Sequence, residues 1–117
     1  MDINETINGL TQELRRGTII IGVLSQLSEP QYGYSLVTVL KDKGIHVDPN
    51  TLYPLLRRLE KQELLASSWD TNEARPRKYY VLSSAGKEVY ERLCQEWMDM
   101  VSSMDSLIGG GNGNGIS

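Results

Sequence analysis

The segment from Pro49 to Gln62, Pro-Asn-Thr-Leu-Tyr-Pro-Leu-Leu-Arg-Arg-Leu-Glu-Lys-Gln, constrains the fold more than any other part of the chain. Leu52, Leu55, Leu56 and Leu59 recur at i, i+3, i+4 and i+7, which puts them in one apolar stripe if the segment is helical. Such a stripe needs a core to cover it. The opposite face holds Asn50, Pro54, Arg57 and Lys61, with Tyr53 and Arg58 on its flanks, and only Glu60 nearby offsets the positive charge. A short amphipathic helix of this kind fits a nucleic-acid groove. Proline is harmless in the first helical turn, where its missing N–H had no intrahelical partner. Pro54 therefore marks the start of the helix, with Thr51 as N-cap, or Asn50 at the cost of one backbone bond.

A chain of 117 residues suits one domain with a small core. No apolar run approaches the roughly 18 residues of a membrane span, and Met-Asp-Ile-Asn-Glu lacks the order of a signal peptide, so a cytoplasmic protein without membrane contact is expected. Cys94 and His46 are the single representatives of their types and stand far apart, which leaves no disulfide and no metal set. There is also no glycine loop before a helix to cradle phosphate. An enzyme lacks its parts here, and no cofactor is expected.

The formal charge of −3 argues at first against a partner as acidic as DNA. Its distribution reverses that reading. Between Pro49 and Tyr80 six basic residues face four acidic ones, while the rest of the chain holds six basic and eleven acidic. Beyond a Debye length of about 8 Å the local field counts for more than the sum.

Taken in order, residues to about Glu5 lack a pattern, and Ile7 to Leu27 read as a helix ended by Ser28-Glu29-Pro30. A second helix opens at Tyr32-Gly33-Tyr34-Ser35 and closes at Lys43-Gly44, and Ile45-His46-Val47 is an extended link with the makings of a very short strand. Helix, link and basic helix form the helix-turn-helix order. Leu64 to Trp69 and Lys78 to Leu82 read as strands around a polar turn, a wing with Arg75, Arg77 and Lys78 at or near its tip. Ser83-Ser84 caps a last helix to about Leu107, in which Tyr90, Leu93, Trp97, Met100, Met104 and Leu107 make a heptad seam. So long a seam calls for a symmetry mate. The expected fold is mainly α with a small β-wing: a winged helix-turn-helix over 1–82, a dimerisation helix over 83–108, and a disordered Gly/Asn tail over 109–117.

Tyr32-Gly33-Tyr34, Thr51 through Lys61, Leu64-Leu65, Arg77-Lys78-Tyr79-Tyr80 and Leu82-Ser83-Ser84-Ala85-Gly86 together resemble the PadR family of bacterial transcriptional regulators. The resemblance covers roughly Leu14 to Leu107 and is similar to the small subfamily with one C-terminal helix. It implies a dimeric repressor on an inverted-repeat operator in double-stranded DNA. Carried over, the DNA contacts fall on Tyr34, on Asn50, Thr51, Tyr53, Arg57 and Arg58, and on Arg75, Arg77 and Lys78; the basic face read above adds Lys61. Asn50 and Glu63 stand where the family often has glycine, which implies looser turning at both ends of the recognition helix. Some small members bind flat aromatic compounds between subunits on a tryptophan of the last helix. Trp97 matches that position, with Leu93, Met100 and Met104 as its expected company at the dimer interface, where a planar aromatic effector would insert. Plain dimer packing is the competing role for Trp97. The rival function is a winged helix that binds a partner protein and never touches DNA.

Overall fold

The computed structural model describes residues 1–72 and 74–109. The elements are α1 (Ile3–Ser25), β1 (Gln31–Tyr32), α2 (Gly33–Asp42), α3 (Pro49–Lys61), β2 (Leu65–Asp70), β3 (Arg77–Leu82) and α4 (Ser84–Ile108). The α+β class expected from the sequence is the one observed. Beyond Gly109 the expected tail lies outside the described residues, as does Glu73 in the wing turn.

Side-chain caps explain where three of the helices begin. Asp2 accepts from the Glu5 amide at 3.2 Å, so α1 starts at Ile3, within the stretch where the sequence shows no pattern. Asp48 accepts from the Asn50 amide at 2.7 Å and Pro49 takes the first helical position, so α3 begins before Thr51. That corrects the cap assignment, because an Asp-Pro pair is a stronger start signal than a later proline. Pro54 then lies inside the helix. Its missing N–H would have bonded the carbonyl of Asn50, an exposed residue. Ser83 caps α4 by accepting from the Gly86 amide at 3.0 Å.

The sheet is antiparallel in the order β1-β3-β2, with Gln31 opposite Tyr80, and Leu65 through Asp70 opposite Leu82 through Arg77. The very short strand is thus Gln31–Tyr32, while the Ile45–Val47 link has no strand. The core gathers Val23 and Leu24 of α1, Leu27 just after it, Leu36 and Leu40 of α2, the four leucines of α3, and Leu65, Tyr80 and Leu82 of the strands. A backbone bond of 2.8 Å from the Leu82 amide to the Leu27 carbonyl ties β3 to the segment just after α1. No helix among the described residues is long and apolar enough to cross a membrane.

Two helix ends show the same backbone problem met by different residues. After α2, Gly44 takes φ 90°, its amide bonds Lys41 and the Ile45 amide bonds Leu40. After α3, Glu63 takes φ 66° and makes the matching pair, Glu63 to Glu60 and Leu64 to Leu59. The turn is as tight as with glycine, contrary to the looser end expected, and the strain falls on Glu63 instead. Glu63→Gly is therefore expected to raise stability by about 0.5 kcal/mol, since relief of about 1 kcal/mol is offset by glycine's greater unfolded freedom. At Gly86 the sign is opposite: a Cβ there would lie 2.0 Å from the Leu64 carbonyl oxygen. Gly86→Ala should lose on the order of 3 kcal/mol. Urea unfolding midpoints of the two variants test both.

Candidate nucleic-acid interface

The face of α3 turned from its leucine stripe is open. Asn50, Thr51, Pro54, Arg57, Arg58 and Lys61 are all exposed. Among the described residues no acidic side chain pairs with Arg57, Arg58 or Lys61. Thr51 and Arg58 lie toward α1, lining a cleft of about 560 Å³ with Ile19, Ile20 and Arg16. Arg16 was not among the residues singled out from sequence, since nothing in the periodicity of α1 marks it as a neighbour of Arg58. Tyr53 is different from the rest of this set: it is half-buried, and its ring lies so close to Gly33 that a Cβ there would meet Cε1 at 2.6 Å. Its ring is a spacer between α2 and α3.

The wing strands are fastened to the helices on both faces of the sheet. On the face toward α3, the Lys78 ammonium sits 3.0 Å from Glu60 Oε1, and the Ser67 hydroxyl donates to the other oxygen of that carboxylate. Lys78 also lies 5.3 Å from the centre of the buried Tyr80 ring and 6.0 Å from that of Trp69. On the other face Tyr32 donates to Asp70 at 2.6 Å and meets Tyr79 edge-on. Arg77 Nη1 donates to the Tyr34 hydroxyl at 2.9 Å, and its guanidinium stands 5.5 Å from that ring and 5.4 Å from Tyr32. Tyr32 and Tyr34 stack with rings 5.8 Å apart. Tyr34 and Arg77 thus form one unit at the start of α2, half of the Tyr34 surface remaining exposed. Arg75 is exposed in the turn.

Ionisation follows these contacts. The Ser67 hydroxyl and then the Lys78 ammonium hold the Glu60 carboxyl below its ordinary 4.5, against partial desolvation. Lys78 is raised above 10.5, chiefly by its hydrogen bond to Glu60. The Tyr32 hydroxyl and the Asn72 amide lower Asp70.

A second surface lies away from the wing. Leu93, Trp97 and Met100 of α4 line an apolar groove of about 350 Å³ together with Leu14, Thr18, Ile20 and Ile21 of α1, and Glu96 stands at its wall. Met104 lies farther along α4 and does not line it. The α1 side of this groove was not predicted residue by residue, because its apolar positions also read as ordinary core.

Comparison with known proteins places this geometry. Residues 20–92 match the family described as "Transcriptional regulator PadR-like family". The chain belongs to the PadR-like family of transcriptional regulators. It is similar to a crystal structure of a PadR family transcriptional regulator from Eggerthella lenta, with 45% identity and TM-score 0.87 over 91% of this chain and 95% of that one. A PadR-like transcription factor from Bacteroides fragilis superposes with TM-score 0.70 at 29% identity, over 85% and 98% of the two chains. A transcriptional regulator of Mycobacterium tuberculosis is 32% identical over 65% of this chain and 72% of its own length. PadR membership makes the protein a DNA-binding regulator and not an enzyme.

In this PadR-like chain the Glu60 carboxylate ties helix to wing in its ionised form. A lowered folded value means that this contribution is complete above the ordinary value of 4.5 and is lost as pH falls through the lowered one. Glu60→Gln should cost about 0.5–1 kcal/mol near neutral pH, as partly exposed pairs do. Thermal melting at pH 7 should show the deficit, and melting below about pH 4 should show it shrinking.

Proposed function

We propose that this regulator is a dimeric repressor that places α3 in the major groove of each half of an inverted-repeat operator and is released by a planar aromatic effector. The observation that carries the DNA arm is the open basic face of α3, where Arg57 and Lys61 project beside Asn50 with no acidic partner among the described residues. Thr51 and Arg58 flank that face, Tyr34 and Arg77 stand as a joined pair at the start of α2, and Arg75 extends the wing toward the adjacent backbone. Tyr53 contributes the edge of a ring whose other side is fixed by Gly33.

Dimer formation is supported by apolar surface with nothing to cover it inside one chain. Ile3, Ile7, Leu10 and Leu14 form an exposed stripe on α1, and Met100, Met104 and Leu107 continue one on α4. Packing these against a second copy would set the spacing between the two α3 helices. Trp97 is 40% exposed beside the groove, so its ring is available to stack on a flat apolar ligand. Release follows if the ligand prefers a dimer geometry in which the α3 spacing no longer fits the operator.

The test joins both arms. Arg57→Ala should weaken binding to DNA from upstream of the protein's own reading frame and reduce the salt slope of log K by about 0.9 per protomer. Titration with planar aromatic compounds should quench tryptophan fluorescence and release that DNA, and Trp97→Ala should abolish both effects while Trp69 still fluoresces. Quenching without DNA release would remove the effector from the mechanism, and absence of any quenching through Trp97 would leave that residue as packing.

A further inference from the structure

Among the basic residues near the wing, Lys78 has its charge answered by the recognition helix itself. Its ammonium lies 3.0 Å from Glu60, on the same helix that carries Arg57 and Lys61, and Ser67 holds the second carboxylate oxygen from β2. Glu60 is thereby gripped from both wing strands at once, Ser67 on β2 and Lys78 on β3. The aromatic faces of Tyr80 and Trp69 complete the seat around the ammonium. The Lys78 and Glu60 side chains keep only 28% and 32% of their surface exposed. A lysine seated in this way gives up a charge-assisted bond in order to reach a phosphate.

We propose that Glu60 is a positioning residue that withholds Lys78 from DNA and fixes the wing against α3, so that binding rests on the α3 face and not on indiscriminate phosphate attraction by the wing base. This rests on the DNA-binding reading above. It assigns to an acidic residue on the recognition helix a role in specificity: the carboxylate removes one cation from the sequence-independent part of binding and holds two DNA-facing elements in one register. Arg77 lies on the other face of the sheet, beside Tyr32 and Tyr34 and within electrostatic reach of Asp70.

The experiment is fluorescence anisotropy of the full chain on a labelled duplex of mixed sequence across a range of salt concentrations. Glu60→Gln is measured both in the wild-type background and in Lys78→Gln. Removing a carboxylate raises DNA affinity in either background, so the informative quantity is the difference between the two increments. With Lys78 present, Glu60→Gln should raise affinity several-fold and steepen the salt slope by about 0.9 per protomer. In the Lys78→Gln background the added slope should vanish. Glu60→Asp, which keeps the charge but shortens its reach, should fall between wild type and Glu60→Gln. Equal increments in both backgrounds would overturn the proposal while leaving the DNA reading intact. Absence of salt-dependent binding by the wild type, with Arg57→Gln indistinguishable from it, would overturn both. Circular dichroism melting confirms that each variant is folded at the assay temperature.

Discussion

Everything in this structure depends on the burial of one side of α3. Leu52 and Leu56 are fully enclosed, and Leu55 and Leu59 nearly so, against leucines from α1 and α2 and the strand residues Leu65, Tyr80 and Leu82. Each such side chain contributes about 2 kcal/mol on leaving water. An interior proline costs about 3 kcal/mol in the general case, so the four leucines together outweigh Pro54 even at that full cost. The actual cost is lower because Pro54 sits on the exposed face, where water can serve the carbonyl that it leaves unpaired. The same burial dictates orientation. With one face committed to the core, the face with Arg57 and Lys61 has nowhere to point but outward.

The wing is held by polar and aromatic contacts in place of apolar burial, and this difference matters for what it can do. β2 and β3 carry their buried residues at the end near α4, at Leu65, Tyr80 and Leu82, while the far end depends on Glu60 with Ser67 and Lys78, on Asp70 with Tyr32, and on Arg77 with Tyr34. Single partly exposed pairs contribute about 0–1 kcal/mol each, so the tip is fixed in direction more than it is stabilised. On the proposed DNA reading the wing benefits from that balance: it has a preferred position that can still yield to the backbone it meets.

The elements were legible because their signals are local. The leucine spacing gave α3, two strand-forming runs around a polar turn gave the wing, and the heptad of α4 stood out without any partner in view. Boundaries were less so. The Asp48-Pro49 start was overlooked in favour of Pro54, and Asp2 was overlooked because one capping residue at a chain end has no periodic signal behind it. The pairings of the site were not legible at all. Nothing in sequence places Ser67 and Lys78 on Glu60, or Tyr34 under Arg77, since these contacts span from 7 to 43 positions and depend on strand register. Register also decides that Lys78 turns toward α3 while Arg77, next to it, turns toward Tyr34.

The arrangement of α1 bears on how a signal at one surface could reach the other. Gly17 and Ile20 belong both to the groove with Trp97 and to the cleft with Thr51, Pro54 and Arg58. One stretch of α1 is therefore a wall of the groove beside Trp97 and a wall beside the recognition helix. An occupant of the groove that displaces Ile20 necessarily reshapes the cleft next to Arg58. The size of the response is bounded by the ligand's preference for one α1 position over the other: equal affinity for both would leave DNA binding untouched however tightly the ligand bound. A flat ligand stacked on Trp97 gains that preference only if its thickness separates α1 from α4, which ties the proposed effector's shape, and not its chemical identity, to the signal.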